Sequence, residues 1–271
     1  MQGLDSFLEH HVARAITGLT PPIDPYEVAR QCKVVGIEER EMIPEAVLVP
    51  ERDGFRIHVQ TNFRDLPGIR LRQRFSIAHE IAHTFFFEQR EGTLKPRRDA
   101  PIGEHLEAAC HRGAGLLLVP TVPLKQAVKA FGYIPDTTST VSLAKRFDVS
   151  IEVMLRRLCD VDAFGTSLLL VLTRQREAGR FIIEFSAYPP WLKALLPTPR
   201  RGMAFDSWFG KAATPHSDTH SDIETPGDAV VKKTQEGSLT AKPIDVTSTL
   251  RIFEVRMQHE VAVERDKSEP R

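Results

Sequence analysis

Residues 72–83 read Arg72-Gln73-Arg74-Phe75-Ser76-Ile77-Ala78-His79-Glu80-Ile81-Ala82-His83. The pattern around them predicts a helix over residues 72–87. His79 and His83 are four apart, so both imidazoles leave one face and can bind the same ion. Glu80 sits one step round the helix. It can reach a metal-bound water without being a ligand, which is what a general base requires. Phe75, Ala82 and Phe86 share the histidine side and give it an apolar footing. The plain alternative is two histidines on an ordinary amphipathic helix.

A catalytic zinc site takes three protein ligands and keeps one position open. The candidate third ligand is Glu107, 24 positions after His83, on a second helix expected over residues 104–119. Small residues there (Ala108, Ala109, Gly113, Ala114, Gly115) allow the close approach that a short carboxylate needs. Glu104, His105 and His111 are rivals, since they lie on the same segment. With two imidazoles and one carboxylate, a Zn2+ ion keeps a net positive charge and activates its water. Tyr133 and His105 are candidates for a second oxyanion donor, each also readable as structural.

Outward from this core, residues 4–16 have helical apolar spacing. Asp24, Pro25 and Glu27 mark a capped helix start. Strands are expected over residues 33–37, 46–49 and 55–59, the last two joined by the turn-rich 50–54. Residues 89–99 read as a polar, basic loop. Residues 123–131 and 141–159 look helical, 167–172 and 181–185 look like strands, and 191–196 like a short helix. Residues 211–248, rich in Thr, Ser, Pro, Gly, Asp and Lys, read as a loop or flexible insertion. Residues 250–257 are a last strand. The expected organisation is α+β: a helix-rich catalytic domain with a small sheet over 1–120, a helical subdomain over 121–163, and a β-rich C-terminal module over 164–271.

The chain has 271 residues, with 36 Lys+Arg balanced by 36 Asp+Glu. Zero net charge argues against binding nucleic acid or an anionic membrane by bulk electrostatics. An apolar share of 41% can build a sizeable core. Cys32, Cys110 and Cys159 are widely spaced and form no CxxC, which excludes a disulfide scaffold and suits a reducing compartment. No apolar run approaches the ~20 residues of a membrane helix, and the start MQGLDSFLEHH lacks the texture of a secretory leader. A cytoplasmic location is expected.

On these residues the chain resembles the ImmA/IrrE family of metallopeptidases. Residues 72–83 are similar to the family's basic RxRF(S/T)xAHExxH pattern. Residues 107–120 are similar to its second pattern, a Glu leading into a small-residue helix that ends LLMP. Residues 22–29, 54–59 and 143–150 also resemble family positions, so the likeness spans about 20–160. It implies a zincin-like fold of the gluzincin type, a zinc-dependent endopeptidase, His79, His83 and Glu107 as metal ligands, and Glu80 as catalytic base. Well-known members cut helix-turn-helix repressors and so release stress-response or mobile-element genes. The chain departs from the pattern in two places. His111 stands where the family has Asn, and is expected to hydrogen-bond the Glu107 carboxylate, with direct ligation as the rival reading. Val119 replaces the Met of LLMP.

A second class of function comes from residues 143–158, which resemble a helix-turn-helix with Asp148 at the turn glycine. Asp tolerates that left-handed position. A DNA reader needs basic or amide side chains at the start of the second helix. Here that start is Ser150-Ile151-Glu152-Val153-Met154, so direct DNA reading is disfavoured and a packed helical subdomain is expected, with a docking surface for the substrate as one use of it. An antitoxin-like regulator that binds metal without cleaving is a third reading. For the C-terminal module, a GAF-like sensor of the kind some family members carry and a structural appendage are equal expectations.

Overall fold

Burial of one apolar helix face against another organises the N-terminal part of the chain. The computed structural model describes residues 2–61, 68–132, 136–161, 168–175, 181–188, 199–205, 230–234, 237–246 and 250–258. The chain divides into two units. One comprises residues 1–134 with 138–163, the other 135–137 with 164–271.

The first unit begins with α1 (Gln2–Ala15) and α2 (Pro25–Gln31). Asp24 caps α2 by accepting from the Tyr26 amide at 2.9 Å, and Pro25 opens the helix. The expected partner of that cap, Glu27, instead pairs with Arg30 one turn on. Three strands follow: β1 (Val34–Arg40), β2 (Ala46–Pro50) and β3 (Phe55–Gln60), in sheet order β1-β3-β2. The β1–β3 pair is parallel and the β2–β3 hairpin antiparallel. Gln60 donates to the Glu45 carbonyl and Glu51 to the Gly54 carbonyl. Alternation between those bonded ends turns the backbone groups of Ala46 and Leu48 away from β3, toward the open edge of β2.

The long helix α3 (Ile69–Thr84) starts three residues before the expected position and ends three before its expected end. Gly68, in the left-handed region, precedes it. Residues 87–96 correct the loop expectation. They form a tight hairpin, β4 (Phe87–Arg90) and β5 (Thr93–Pro96), turned by Glu91 and Gly92, both at positive φ. That conformation suits a two-residue hairpin turn. α4 (Glu104–Leu118) ends before Pro120, as read from the sequence. α5 (Thr121–Ala130) starts two residues ahead of expectation, with Pro120 at its N-cap.

Residues 141–159 are two helices rather than one. α6 (Thr137–Phe147) and α7 (Ile151–Asp160) flank a turn in which Asp148 has φ 54° and Ser150 caps α7. Two sets of contacts hold this pair to the rest of the unit. Arg70 of α3 bonds the Asp148 carboxylate, and Arg74 donates to the Asp148 carbonyl at 3.1 Å and the Ile23 carbonyl at 2.8 Å. Arg157 of α7, 2% exposed, donates to the Val119 carbonyl at 3.0 Å and the Thr121 hydroxyl at 3.1 Å. The core of this unit gathers Leu8, Ile77, Ile81, Leu117, Leu118, Leu124 and Phe147, all essentially buried.

The second unit is an antiparallel sheet in the order β7-β6-β10-β9-β8. Its strands are β6 (Leu168–Gln175), β7 (Phe181–Ala187), β8 (Val230–Thr234), β9 (Gly237–Val246) and β10 (Leu250–Gln258). β8 and β9 correct the reading of residues 211–248 as one flexible stretch, because residues 230–246 are mostly paired strand. Thr, Lys and Ser at these positions masked the strand signal, although sheets accept such residues where one face is polar. The described strands carry nothing that supports a GAF-like assignment. The expected helix over 191–196 lies outside the described residues. Among the described residues, no helix is long and apolar enough to cross a membrane.

Candidate metal centre

The site is built where α3 and α4 pass each other. Gly113 of α4 lies against Ala82 of α3, and Leu8 of α1 closes the contact from a third side. This proximity carries the first turn of α4, with Glu107, to the two imidazoles of α3. A carboxylate in a first turn also sits at the favourable end of the helix dipole.

The Nε2 atoms of His79 and His83 are 3.1 Å apart. Glu107 places Oε2 3.2 Å from Nε2 of His79 and Oε1 3.6 Å from Nε2 of His83. Ligands of a four-coordinate ion with bonds of about 2.0–2.2 Å stand about 3.3 Å from one another. Three donors that converge to this spacing, two imidazoles and one carboxylate, fit a divalent cation. Glu80 belongs to the same cluster, with its donor atom within 4.8 Å of those of His79 and His83. The histidine side chains are nearly enclosed, at 12% and 16% exposure, whereas Glu107 is 56% exposed. The site therefore opens on the Glu107 side.

Burial sets the protonation of these groups. It pushes His79 down to about 4, helped by the nearby His111 and His83 and opposed by Glu107. Burial also lowers His83, against the pull of Glu107. Neutral imidazoles are the form that ligates. Burial pushes Glu80 up to about 7, against a hydrogen bond from the Leu48 amide and with a further push from Glu107. A carboxyl balanced near neutrality can both take and give a proton. The Leu48 amide is the outward-facing donor on the open edge of β2, so that edge lies beside the carboxyl.

His111 departs from its expected bond. Among the described residues it makes no hydrogen bond to Glu107. Its ring stacks on Phe75 at 5.7 Å between centroids and lies 4.5 Å from the ring of His79. The rivals Glu104 and His105 are exposed on the first turn of α4 and enter none of the contacts of the imidazole pair. Tyr133 lies outside the described residues. A cavity of about 180 Å3 opens on the α3 face one turn before Glu80, lined by Glu45, Gln60, Arg72 and Ser76 among others. There the Glu45 carboxylate is held by Arg72 and by the Ser76 hydroxyl at 3.1 Å. Sequence reasoning missed Leu48 and Glu45. Leu48 acts through its backbone, which leaves no residue-type signal.

Residues 70–159, which carry both helices of the site, match the Peptidase M78 family model, described as the IrrE N-terminal-like domain. Over this segment the chain is similar to the IrrE N-terminal-like family. The chain is 32% identical over 113 residues to the radiation response metalloprotease IrrE of Deinococcus deserti, covering 40% of this chain and 39% of that protein. It is 33% identical over 93 residues to the protein of the same name in Deinococcus radiodurans, covering 33% of this chain and 27% of the relative. The matches thus span well under half the length of these relatives. A solved Mycobacterium tuberculosis transcriptional regulator is 14% identical with a TM-score of 0.46, over 95% of this chain and 77% of that one. That likeness is too distant to bear on function. This likeness fits the His79-Glu80-His83 cluster, whose donors suit a divalent metal.

Proposed function

We propose that the chain is a metal-dependent endopeptidase, with His79, His83 and Glu107 holding zinc and Glu80 as the catalytic base. The observation that carries this reading is the convergence of two imidazole nitrogens and the two oxygens of one carboxylate, with contacts of 3.1–3.6 Å and a buried carboxyl beside them. A bound divalent cation would supply Lewis-acid activation of water and of the peptide carbonyl. The chain's own residues supply the rest. Glu80 takes a proton from the attacking water and returns it to the leaving amine. The Leu48 amide steers the Glu80 carboxyl, and the open edge of β2 offers backbone groups to an extended segment of substrate.

The substrate class proposed is a helix-turn-helix repressor, cut so that repression is relieved in a stress response or on a mobile element. Its support is the family resemblance, together with the naming of both relatives as radiation response metalloproteases. Such a substrate places the reaction in the cytoplasm. Direct DNA reading by α6 and α7 is disfavoured, since α7 opens on Ile151 and Glu152 and since Asp148 of the turn is already paired with Arg70 of α3.

The test incubates the full chain and zinc with a helix-turn-helix repressor encoded beside it. Cleavage is expected from the wild type. Glu80→Gln should keep its metal and lose cleavage. Cleavage by that variant at the wild-type rate would remove Glu80 from the chemistry. Metal retained in full by both Glu107→Ala and His83→Ala would remove the ligand assignment. Salt-dependent, sequence-selective binding to duplex DNA without cleavage would favour the regulator instead.

A further inference from the structure

The two ring nitrogens of His79 have different surroundings. Nε2 faces the proposed metal, 3.1 Å from His83 and 3.2 Å from Glu107. Nδ1 is buried and, among the described residues, has no hydrogen-bond partner. Coordination through Nε2 leaves the proton on Nδ1. Metal loading therefore makes this atom a buried donor that calls for an acceptor.

Two neighbours are already engaged at Nε2. His83 lies one turn after His79 and meets it through Nε2. Glu107 meets the same nitrogen. His111 lies beside both Phe75 and His79, with its ring stacked on Phe75 at an interplanar angle of 20°. Its centroid is 4.5 Å from that of His79 and the two planes are tilted by 54°. Glu107 and His111 are four apart on α4, so one helix face presents both a carboxylate and an imidazole to His79. His111 is exposed. That exposure leaves its side chain room to turn a ring nitrogen toward Nδ1.

We infer that His111 is a positioning residue for the metal: it accepts the Nδ1–H of His79 and fixes the ring and tautomer that coordinate. The inference rests on the reading of His79 as a ligand. It gives His111 a role distinct from both sequence expectations, a bond to Glu107 and direct ligation. It also explains how an imidazole serves at a position where the family carries Asn, since either side chain offers an acceptor.

The test measures zinc affinity of the full chain by competition with a chromophoric chelator, for the wild type, His111→Leu and His111→Asn. Loss of an outer partner of a ligating histidine costs about 10–100-fold in metal affinity. That loss is expected for His111→Leu, with His111→Asn restored to near the wild-type value. Melting temperatures measured in chelator should agree among the three proteins, because a packing role would move them. In the zinc-loaded wild type, the Nδ1 proton of His79 should be visible by nitrogen-15 NMR and should shift in His111→Leu. Wild-type affinity in His111→Leu overturns the inference and leaves the metal site standing. Equal losses in both variants overturn it too, by pointing to ligation or packing. A wild-type chain that binds no zinc overturns both this inference and the proposed function.

Discussion

Gly113 of α4 lies so close to Ala82 of α3 that a Cβ at position 113 would stand 2.8 Å from the Ala82 Cβ. Real Cβ atoms do not approach so closely, so the helix spacing depends on the missing side chain. Ala82 directly precedes His83, and Gly113 lies less than two turns after Glu107. Helix spacing and ligand spacing are therefore one variable.

Gly113→Leu should widen that spacing. Overpacking of this kind costs about 1–3 kcal/mol, and the melting temperature should fall by several degrees. Zinc affinity should fall further than stability alone explains, since Glu107 moves off its 3.2 Å approach to His79. Chelator competition and thermal melts on the same sample would measure both. Unchanged affinity in a folded variant would mean that Glu107 is placed by something other than this contact.

Metal should also stabilise the unit that contains α3 and α4. Donors brought together by two different helices bind only in the folded state, so free zinc at 100 times its dissociation constant adds about 2.7 kcal/mol. A rise in melting temperature of about 5–10 °C is expected for a unit of this size. Melts with zinc and with excess chelator test it. Glu107→Ala should abolish most of the difference, and a full shift in that variant would count against the ligand set.

Much of this site could be read locally. His79, Glu80 and His83 occupy one turn, and the small-residue pattern that lets α4 approach lies within a single helix. Other parts depend on distant partners. Arg70 and Asp148 are separated by 78 positions, and no periodicity pairs them. The β4–β5 hairpin was hidden because its strands are four residues long and charged, with a positive-φ Glu91 in place of the usual Asn or Gly. Strands β8 and β9 were hidden by polar composition. His111 was noticed as a departure, but its ring contacts with Phe75 and His79 depend on the rotation of α4 about its axis.

Acid should loosen the hold of α3 on the α6–α7 turn. The hydrogen bond from Arg70 holds the Asp148 carboxyl below its usual value, against some desolvation and with help from the charges of Arg74 and Arg70. A depressed carboxylate contributes stability that is fully present above its unfolded pKa, near 3.9, and is lost as pH falls through its folded pKa. Asp148→Asn tolerates the left-handed backbone and removes the charge. It should cost about 1 kcal/mol at pH 7, with the difference from wild type shrinking below about pH 4. Urea unfolding at a series of pH values measures it. A difference that stays constant down to pH 3 would show that the charge of Asp148 plays no part.

Arg157 should prove more costly to remove than any surface arginine. Its side chain is 3% exposed and lies 3.6 Å from Asp160. It also satisfies the Val119 carbonyl, at the end of α4, and the Thr121 hydroxyl, at the start of α5. Burial lowers its pKa, opposed chiefly by Asp160, yet an arginine stays charged in proteins. Arg157→Met keeps much of the volume and removes every donor. The orphaned carbonyl and the unpaired Asp160 should together cost about 2–4 kcal/mol. Arg157→Lys should recover little, because one ammonium cannot reproduce the planar fork that reaches three partners. The Met variant should bind zinc as tightly as wild type at temperatures where it is folded, since Arg157 grips the end of α4 remote from Glu107. Equilibrium unfolding and chelator competition separate the two effects. Loss of zinc affinity in folded Arg157→Met would show instead that the α6–α7 pair tunes the metal site through α4.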